Sequence, residues 1–126
     1  MKKTQIITAK APAAVGPYSQ AIAAGEFVFA SGQIPLGADG VLIAGGVSEQ
    51  TDQCLKNAAE VLQAAGLNLR DAVKTTVFMT DLGQFAAMNE AYGKHFKAPY
   101  PARSTVQVVA LPKGACVEVE VVALRP

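Results

Sequence analysis

The sequence predicts an α+β domain: a six-stranded mixed sheet with two helices packed on one face, in the order β-β-β-α-β-α-β-β. Three observations predict it. The first third and the last quarter of the chain read as short strands bounded by Gly and Pro turns. Two interior stretches switch to apolar steps of three and four residues, the helical period. No repeat, linker or low-complexity segment divides the 126 residues, so residues 1–126 are one domain with one core.

Each element has a local reason. Gln5 to Thr8 is a short strand. Tyr18 to Ala24 and Phe27 to Gln33 flank Gly25-Glu26, a two-residue hairpin turn with glycine where φ > 0 is needed. The glycines of the following loop, Gly37 to Gly46, have turn spacing and not that of a phosphate-binding GxGxxG, so no nucleotide site is read there. From Val47 to Ala65 the residues Thr51, Cys54, Leu55, Ala58, Val61, Leu62 and Ala65 share one helical face, and Gly66 ends the run. Val73 to Thr80 alternates and is β-branched, a strand. Asp81-Leu82-Gly83-Gln84 has the pattern of a capping box opening a second helix, which runs to about Phe96, where Pro99 and Pro101 stop it. Arg103 to Val109 and Cys116 to Leu124 are the last strands, joined as a hairpin by a Leu111-Pro112-Lys113-Gly114 turn.

Composition excludes several classes of function. With 51% apolar and 17% charged residues the chain is compact and not disordered. A net charge of +1, with no basic cluster beyond Lys2-Lys3, gives no electrostatic case for nucleic acid. Thr4, Gln5, Thr8 and Lys10 interrupt any apolar segment after the lysines, so no signal peptide is expected. No run approaches the ~20 apolar residues that span a membrane. A cytoplasmic protein is expected. Cys54 lies on the apolar face of the first helix as a small core residue, and Cys116 begins a strand in a structural role. Neither forms a CxxC pair, and the lone His95, at the edge of the second helix, has no ligand partner, so neither a disulfide framework nor a metal site is expected. Two helices cover one face of a sheet that is apolar on both: Val117, Val119 and Val121 alternate with Cys116, Val122 and Leu124. Such a sheet needs a partner, and closed homo-oligomers are the usual one.

The residues that can carry chemistry stand out against this apolar background. Arg103 and Glu118 put a permanent cation and a carboxylate into strand-like segments, and either left unpaired inside a protein costs several kcal/mol. Arg103, Thr105 and Gln107 share one strand face; Glu118 and Glu120 share another. If the hairpin register brings those faces together, Arg103 and a glutamate lie in one pocket, either paired with each other or held for a ligand. Phe85, Met88, Tyr92 and Phe96 form the inward stripe of the second helix. Asn89 falls inside it, about 40° from its centre, so its amide either ties down a loop or points into a pocket. Gly16-Pro17-Tyr18 presents a hydroxyl at a strand entry, and Ser31-Gly32 lets backbone approach a ligand closely.

Taken together, the segments Ala11-Pro12-Ala13-Ala14-Val15-Gly16-Pro17-Tyr18-Ser19-Gln20, Ala30-Ser31-Gly32-Gln33-Ile34-Pro35, Val73-Lys74-Thr75-Thr76-Val77-Phe78, Pro101-Ala102-Arg103-Ser104, Ala110-Leu111-Pro112-Lys113 and Val117-Glu118-Val119-Glu120 resemble the Rid (YjgF-type) family, in order from Ala11 to Arg125. The likeness is to its enamine/imine deaminase subgroup, RidA. It implies a chorismate-mutase-like fold assembled as a homotrimer with pockets at the subunit clefts. It also implies hydrolysis of 2-aminoacrylate and the 2-imino acids 2-iminopropanoate and 2-iminobutanoate to 2-keto acids and ammonia, without cofactor or metal. Such imines are products of pyridoxal-phosphate-dependent serine and threonine dehydratases. Carried over by the resemblance, Arg103 takes the substrate carboxylate in a bidentate fork. Glu118 orients the water and moves protons to the departing nitrogen. Tyr18 and Asn89 line the cleft, partly from a neighbouring subunit, while Ser31 and Gly32 contact substrate through hydroxyl and backbone. Thr105 stands where the family often has cysteine; its hydroxyl is a poor nucleophile without an adjacent base, so its backbone alone is expected to line the pocket.

Other readings compete. A non-catalytic module for small 2-keto or 2-imino acids would use Arg103 equally well, but a carboxylate such as Glu118 beside a bound anion hinders binding and helps water activation. The ribonuclease and translation-inhibitor reading attached to the family meets near-zero net charge, no basic stripe and no tryptophan. A chaperone-like role has no signature in the sequence.

Overall fold

A computed structural model describes residues 2–126. Six strands, β1 (Lys3–Ile6), β2 (Ala21–Ala24), β3 (Phe27–Gln33), β4 (Ala72–Met79), β5 (Ala102–Gln107) and β6 (Val117–Leu124), form one sheet. Two helices, α1 (Val47–Ala64) and α2 (Phe85–Gly93), lie on one side of it. The strand order across the sheet is β1-β2-β3-β6-β4-β5. All neighbours are antiparallel except β4 and β5, which run parallel through the α2 crossover. The element order is the one expected from sequence.

The expected local signals act as read at two places. Gly25 has φ 59° in the β2–β3 turn, and Gly66, at φ 79°, closes α1, with Leu67 N–H donating to the Leu62 carbonyl. Thr51, Cys54, Leu55, Ala58, Val61 and Leu62 of α1 are all essentially inaccessible to solvent. They pack on Val77 and Met79 of β4 and on Val117, Val119 and Val121 of β6, forming the core.

Several boundaries differ. The strand expected from Tyr18 is shorter, starting at Ala21, because Gly16 (φ 132°) and Pro17 hold residues 16–20 as a loop. The second helix ends at Gly93 and not near Phe96. Its first turn is a separate 3-10 turn over Leu82–Gln84, capped by Asp81 Oδ1 accepting from Gly83 N–H at 2.8 Å. Phe85, expected to face inward, is 39% exposed, whereas Met88, Tyr92 and Phe96 are buried.

The larger correction concerns the last two strands. β5 and β6 are not a hairpin, because β4 lies between them. The Pro112–Gly114 segment, a 3-10 turn with Lys113 at φ 60°, lies on the connection that carries the chain past that strand instead of reversing it locally.

The sheet face away from the helices is open and apolar. Phe27 pairs with Leu124, and Phe29 with Val122, on that face. Phe27, Phe29 and Leu124 are 40%, 48% and 38% exposed. Among the described residues no helix is long and apolar enough to cross a membrane.

Candidate active site

One cleft, of about 390 Å³, forms where the residue 11–20 loop folds over the start of the β3–β6 seam. Gln20 organises the loop from beneath. It is 3% exposed, accepts from Thr8 N–H at 2.8 Å and donates to the Pro12 carbonyl at 2.8 Å. Ser31 Oγ donates to the Ser19 carbonyl at 2.6 Å, and Ser31 N–H to the Gln20 carbonyl at 2.9 Å. These bonds present Tyr18 at the rim of the cleft, half exposed. Ser31 was expected to offer its hydroxyl to substrate; here its proton is committed to the loop, and its oxygen retains only acceptor capacity.

Gly32 has a different reason to be glycine. The β3–β6 register slips between Ala30 and Gln33, so Ser31 and Gly32 bulge out of the ladder. The Glu118 carboxylate of β6 occupies the space a side chain would fill: a Cβ on Gly32 would lie 2.1 Å from Glu118 Oε2. Burial in the cleft raises the Glu118 pKa above its ordinary 4.5, and the neighbouring Glu120 charge raises it further. A carboxylate destabilised in this way holds a proton more readily than a solvated one, which suits a proton shuttle.

Arg103 sits elsewhere, in a recess of about 480 Å³ lined by Asn89, Tyr92, Gly93, Tyr100 and Pro101. Its guanidinium carbon lies 4.7 Å from the Tyr92 ring centroid and 5.6 Å from that of Phe85. The Tyr92 hydroxyl shares a 2.7 Å hydrogen bond with Thr75 in the core. Asn89 is exposed, and among the described residues its side chain ties down no loop; it forms part of the recess wall. Thr105 follows on the same face of β5, half-buried and opposite Val77, outside the recess wall. His95, placed at the edge of the stripe, is half-buried and bonded to Asp52 of α1.

Arg103 and Glu118 therefore do not meet within one chain. Arg103 is opposite Thr75 of β4, which is opposite Val121 of β6, so all three share the helix-covered face. Glu118 is three residues from Val121, an odd number, and faces the open side. Both the shared pocket and the structural Arg103–Glu118 pair are excluded for a single chain. Among the described residues the sole ion pair is that of His95 with Asp52, so Arg103 has no carboxylate partner.

Tyr18, Ser31, Gly32 and Glu118 are thus brought together in one cleft, and Arg103 and Asn89 in another. Sequence reading missed Tyr92 as the arginine's support, Gln20 as the loop's anchor, and Lys113, which lines the Glu118 cleft and donates to the Gly40 carbonyl at 3.2 Å. Aromatic spacing on α2 is the available signal for the first; for Gln20 and Lys113 the one signal is that both stand inside segments that carry the family resemblance. Among the described residues no group of three or more His, Cys, Asp or Glu is arranged to hold a metal ion.

Comparison with known proteins gives this arrangement its context. The sequence model described as endoribonuclease L-PSP matches residues 8–125. The chain belongs to the endoribonuclease L-PSP family. Within that L-PSP family it is 48% identical, over 95% of its length and 88% of the relative's, to a human protein named 2-iminobutanoate/2-iminopropanoate deaminase. It is 44% identical to RidA from the Antarctic bacterium Psychrobacter sp. PAMC 21119, covering 96% of this chain and 98% of that one with a TM-score of 0.92. It is 43% identical to E. coli TdcF with bound serine, covering 98% and 99% with a TM-score of 0.91. The Rid resemblance of this L-PSP chain and its predicted fold class are both borne out.

Proposed function

We propose that this protein is an enamine/imine deaminase that hydrolyses 2-imino acids such as 2-iminopropanoate and 2-iminobutanoate to 2-keto acids and ammonia. The observation that carries this reading is the 48% identity, over 95% of the chain, to a protein named for that activity. The geometry supports it by supplying a cation that, among the described residues, has no carboxylate partner, and a carboxylate whose pKa burial raises within the chain.

Because the two groups lie on opposite sheet faces, a working site needs two chains: the Arg103 recess of one subunit facing the Glu118 cleft of another. A homotrimer, the assembly implied by the family resemblance, meets that need and covers the apolar face around Phe27, Phe29 and Leu124.

In this arrangement Arg103 holds the substrate carboxylate through two parallel N–H donors and so fixes the adjacent C=N carbon. Glu118, as carboxylate, accepts a proton from water while the oxygen bonds to that carbon and the C=N electron pair moves onto nitrogen. Glu118 then hands that proton to the nitrogen, giving the neutral aminoalcohol and the carboxylate again. In the collapse Glu118 takes the hydroxyl proton and passes it to the nitrogen as the C–N bond breaks, so C=O forms, ammonia leaves and the carboxylate is regenerated. Tyr18 and Asn89 bound the substrate from the two halves; Gly32 leaves room for the Glu118 carboxylate, Ser31 serves as an acceptor, and Thr105, outside the recess wall, supplies no side-chain group to the reaction. Imines already hydrolyse in water, so positioning plus one general acid–base of about 10²–10⁴-fold suffices. The binding-module reading gives no role to a protonatable Glu118, and the net charge of +1 gives no track for RNA.

The test is keto-acid release when a dehydratase supplies the imine. Acceleration by the wild type that is lost in both Arg103→Ala and Glu118→Ala, with folding intact, supports the reading. Saturable pyruvate binding without acceleration would make the protein a binding module.

A further inference from the structure

An arginine that must wait for a ligand has a positioning problem. Its side chain carries about 2 kcal/mol of rotamer freedom, and a bidentate fork works only in one orientation. Pairing with a protein carboxylate would solve this and would also occupy the donors; Arg103 has no such partner among the described residues.

The surroundings of Arg103 offer another solution. Phe85 and Tyr92 are seven residues apart on α2, two turns, so their attachment points on one face are about 10.5 Å apart. The guanidinium carbon lies over both rings, 5.6 Å from the Phe85 centroid and 4.7 Å from that of Tyr92, so the cation contacts both aromatic faces at once. Tyr92 is itself fixed: it is 5% exposed, backed by Phe96 at 4.5 Å between ring centroids, and bonded through its hydroxyl to the fully buried Thr75. Thr75 is the residue opposite Arg103 in the β4–β5 pairing, so one rung of the sheet sets both the arginine's origin and the ring that receives its end.

We propose that Tyr92 is a positioning residue for substrate binding: with Phe85 it forms an aromatic slot that holds the Arg103 guanidinium aimed into the recess, its N–H donors free for the substrate carboxylate. The proposal rests on the reading of Arg103 as the carboxylate holder. Ring faces attract the cation without accepting its N–H groups in the way a carboxylate would, so the slot orients the arginine without satisfying it. Since the contact persists from bound substrate to transition state, its loss should appear in KM and not in kcat.

The test uses the full-length wild type with Tyr92→Phe, Tyr92→Leu and Phe85→Leu, the last at an exposed position that does not threaten folding. Two readouts are made: the Arg103 Nε–H resonance, one of three arginine signals, with its shift on pyruvate titration, and KM and kcat for 2-iminobutanoate. The slot predicts a ring-shifted Arg103 signal that survives in Tyr92→Phe, with KM and pyruvate Kd within about twofold of wild type. In Tyr92→Leu the shift collapses, and both constants rise roughly tenfold with kcat within about threefold, the scale of one partly desolvated cation–π contact. Phe85→Leu gives a smaller rise in the same direction. Unchanged pyruvate affinity in a folded Tyr92→Leu or Phe85→Leu, or a loss confined to kcat, overturns the proposal. Pyruvate binding needs no turnover, so a wild type that binds pyruvate through the slot without deaminating leaves the slot standing and removes the deaminase reading. A wild type that does not bind pyruvate removes the slot.

Discussion

Adding one methyl group at Gly32 should remove most of the activity while leaving the fold in place. An alanine Cβ there would sit 2.1 Å from Glu118 Oε2 and 2.8 Å from the carboxyl carbon. To reach an ordinary contact of 3.4 Å the oxygen must retreat by about 1.3 Å. Displacements of about 1 Å cost on the order of 10²-fold in rate when geometry carries catalysis, and removing a general acid–base costs about 10²–10⁴-fold. Gly32→Ala should therefore lower kcat/KM by about 10²-fold, or about 2.7 kcal/mol of transition-state stabilisation. The fold should tolerate it, because the crowded atoms are the far end of a flexible side chain and Gly32 is not in the left-handed region; a Tm shift of no more than a few degrees is expected. The assay is keto-acid release from dehydratase-generated 2-iminobutanoate, alongside Glu118→Gln and the double variant. Since both changes act on one carboxylate, the double variant should lie within about threefold of Glu118→Gln alone. A folded Gly32→Ala enzyme within threefold of wild type, with Glu118→Gln inactive, would refute the claim that the carboxylate must rest where it does.

Three further outcomes follow from the same structure. Within one chain, a folded-state pKa above 4.5 makes the Glu118 contribution to stability decline as pH rises from the ordinary value through the raised one; in a monomeric Phe29→Glu background, where no neighbouring Arg103 opposes the shift, Glu118→Gln should melt higher than its parent at pH 7, with the gain vanishing in scans below pH 4.5. Asp52 has the opposite sign: its hydrogen bond to His95 holds its pKa below 3.8, so the bond stabilises above that pH and is lost as pH falls through the lowered pKa. Asp52→Asn should cost at most about 1 kcal/mol in urea unfolding at pH 6, because the carboxylate is 43% exposed, and nothing in acid. Phe29→Glu places a charge on the open apolar face; light scattering should give a trimer for wild type and a monomer for the variant, whose deaminase activity should be lost with the assembly.

The sequence made some of this legible and hid the rest for physical reasons. The α1 face from Thr51 to Leu62 and the turn glycines Gly25 and Gly66 could be read because helical period and positive φ are local properties. The β5–β6 hairpin was misread because Leu111-Pro112-Lys113-Gly114 carries every local mark of a reversal, whereas sheet order is set by which strands bury their faces together. That misreading carried the error at the site. With β4 inserted, the parity between residues 103 and 118 puts the two side chains on opposite faces, and no pattern within either strand reports it. Individual site residues survived the error because their chemistry is unusual for their setting: a partnerless arginine, a carboxylate in a valine strand and a glycine inside a ladder. Tyr92 did not stand out, since an aromatic in a helical stripe looks like core until the arginine above it is seen.

The central claim is that each active site takes Arg103 from one chain and Glu118 from another. Mixing the inactive Arg103→Ala and Glu118→Ala proteins, with subunit exchange verified by co-purification of differently tagged chains, tests it most directly. A site shared between subunits predicts that about a quarter of the sites in a random one-to-one mixture regain both groups, and that deaminase activity returns to about that fraction of wild type. Exchanged assemblies that remain inactive would contradict the account.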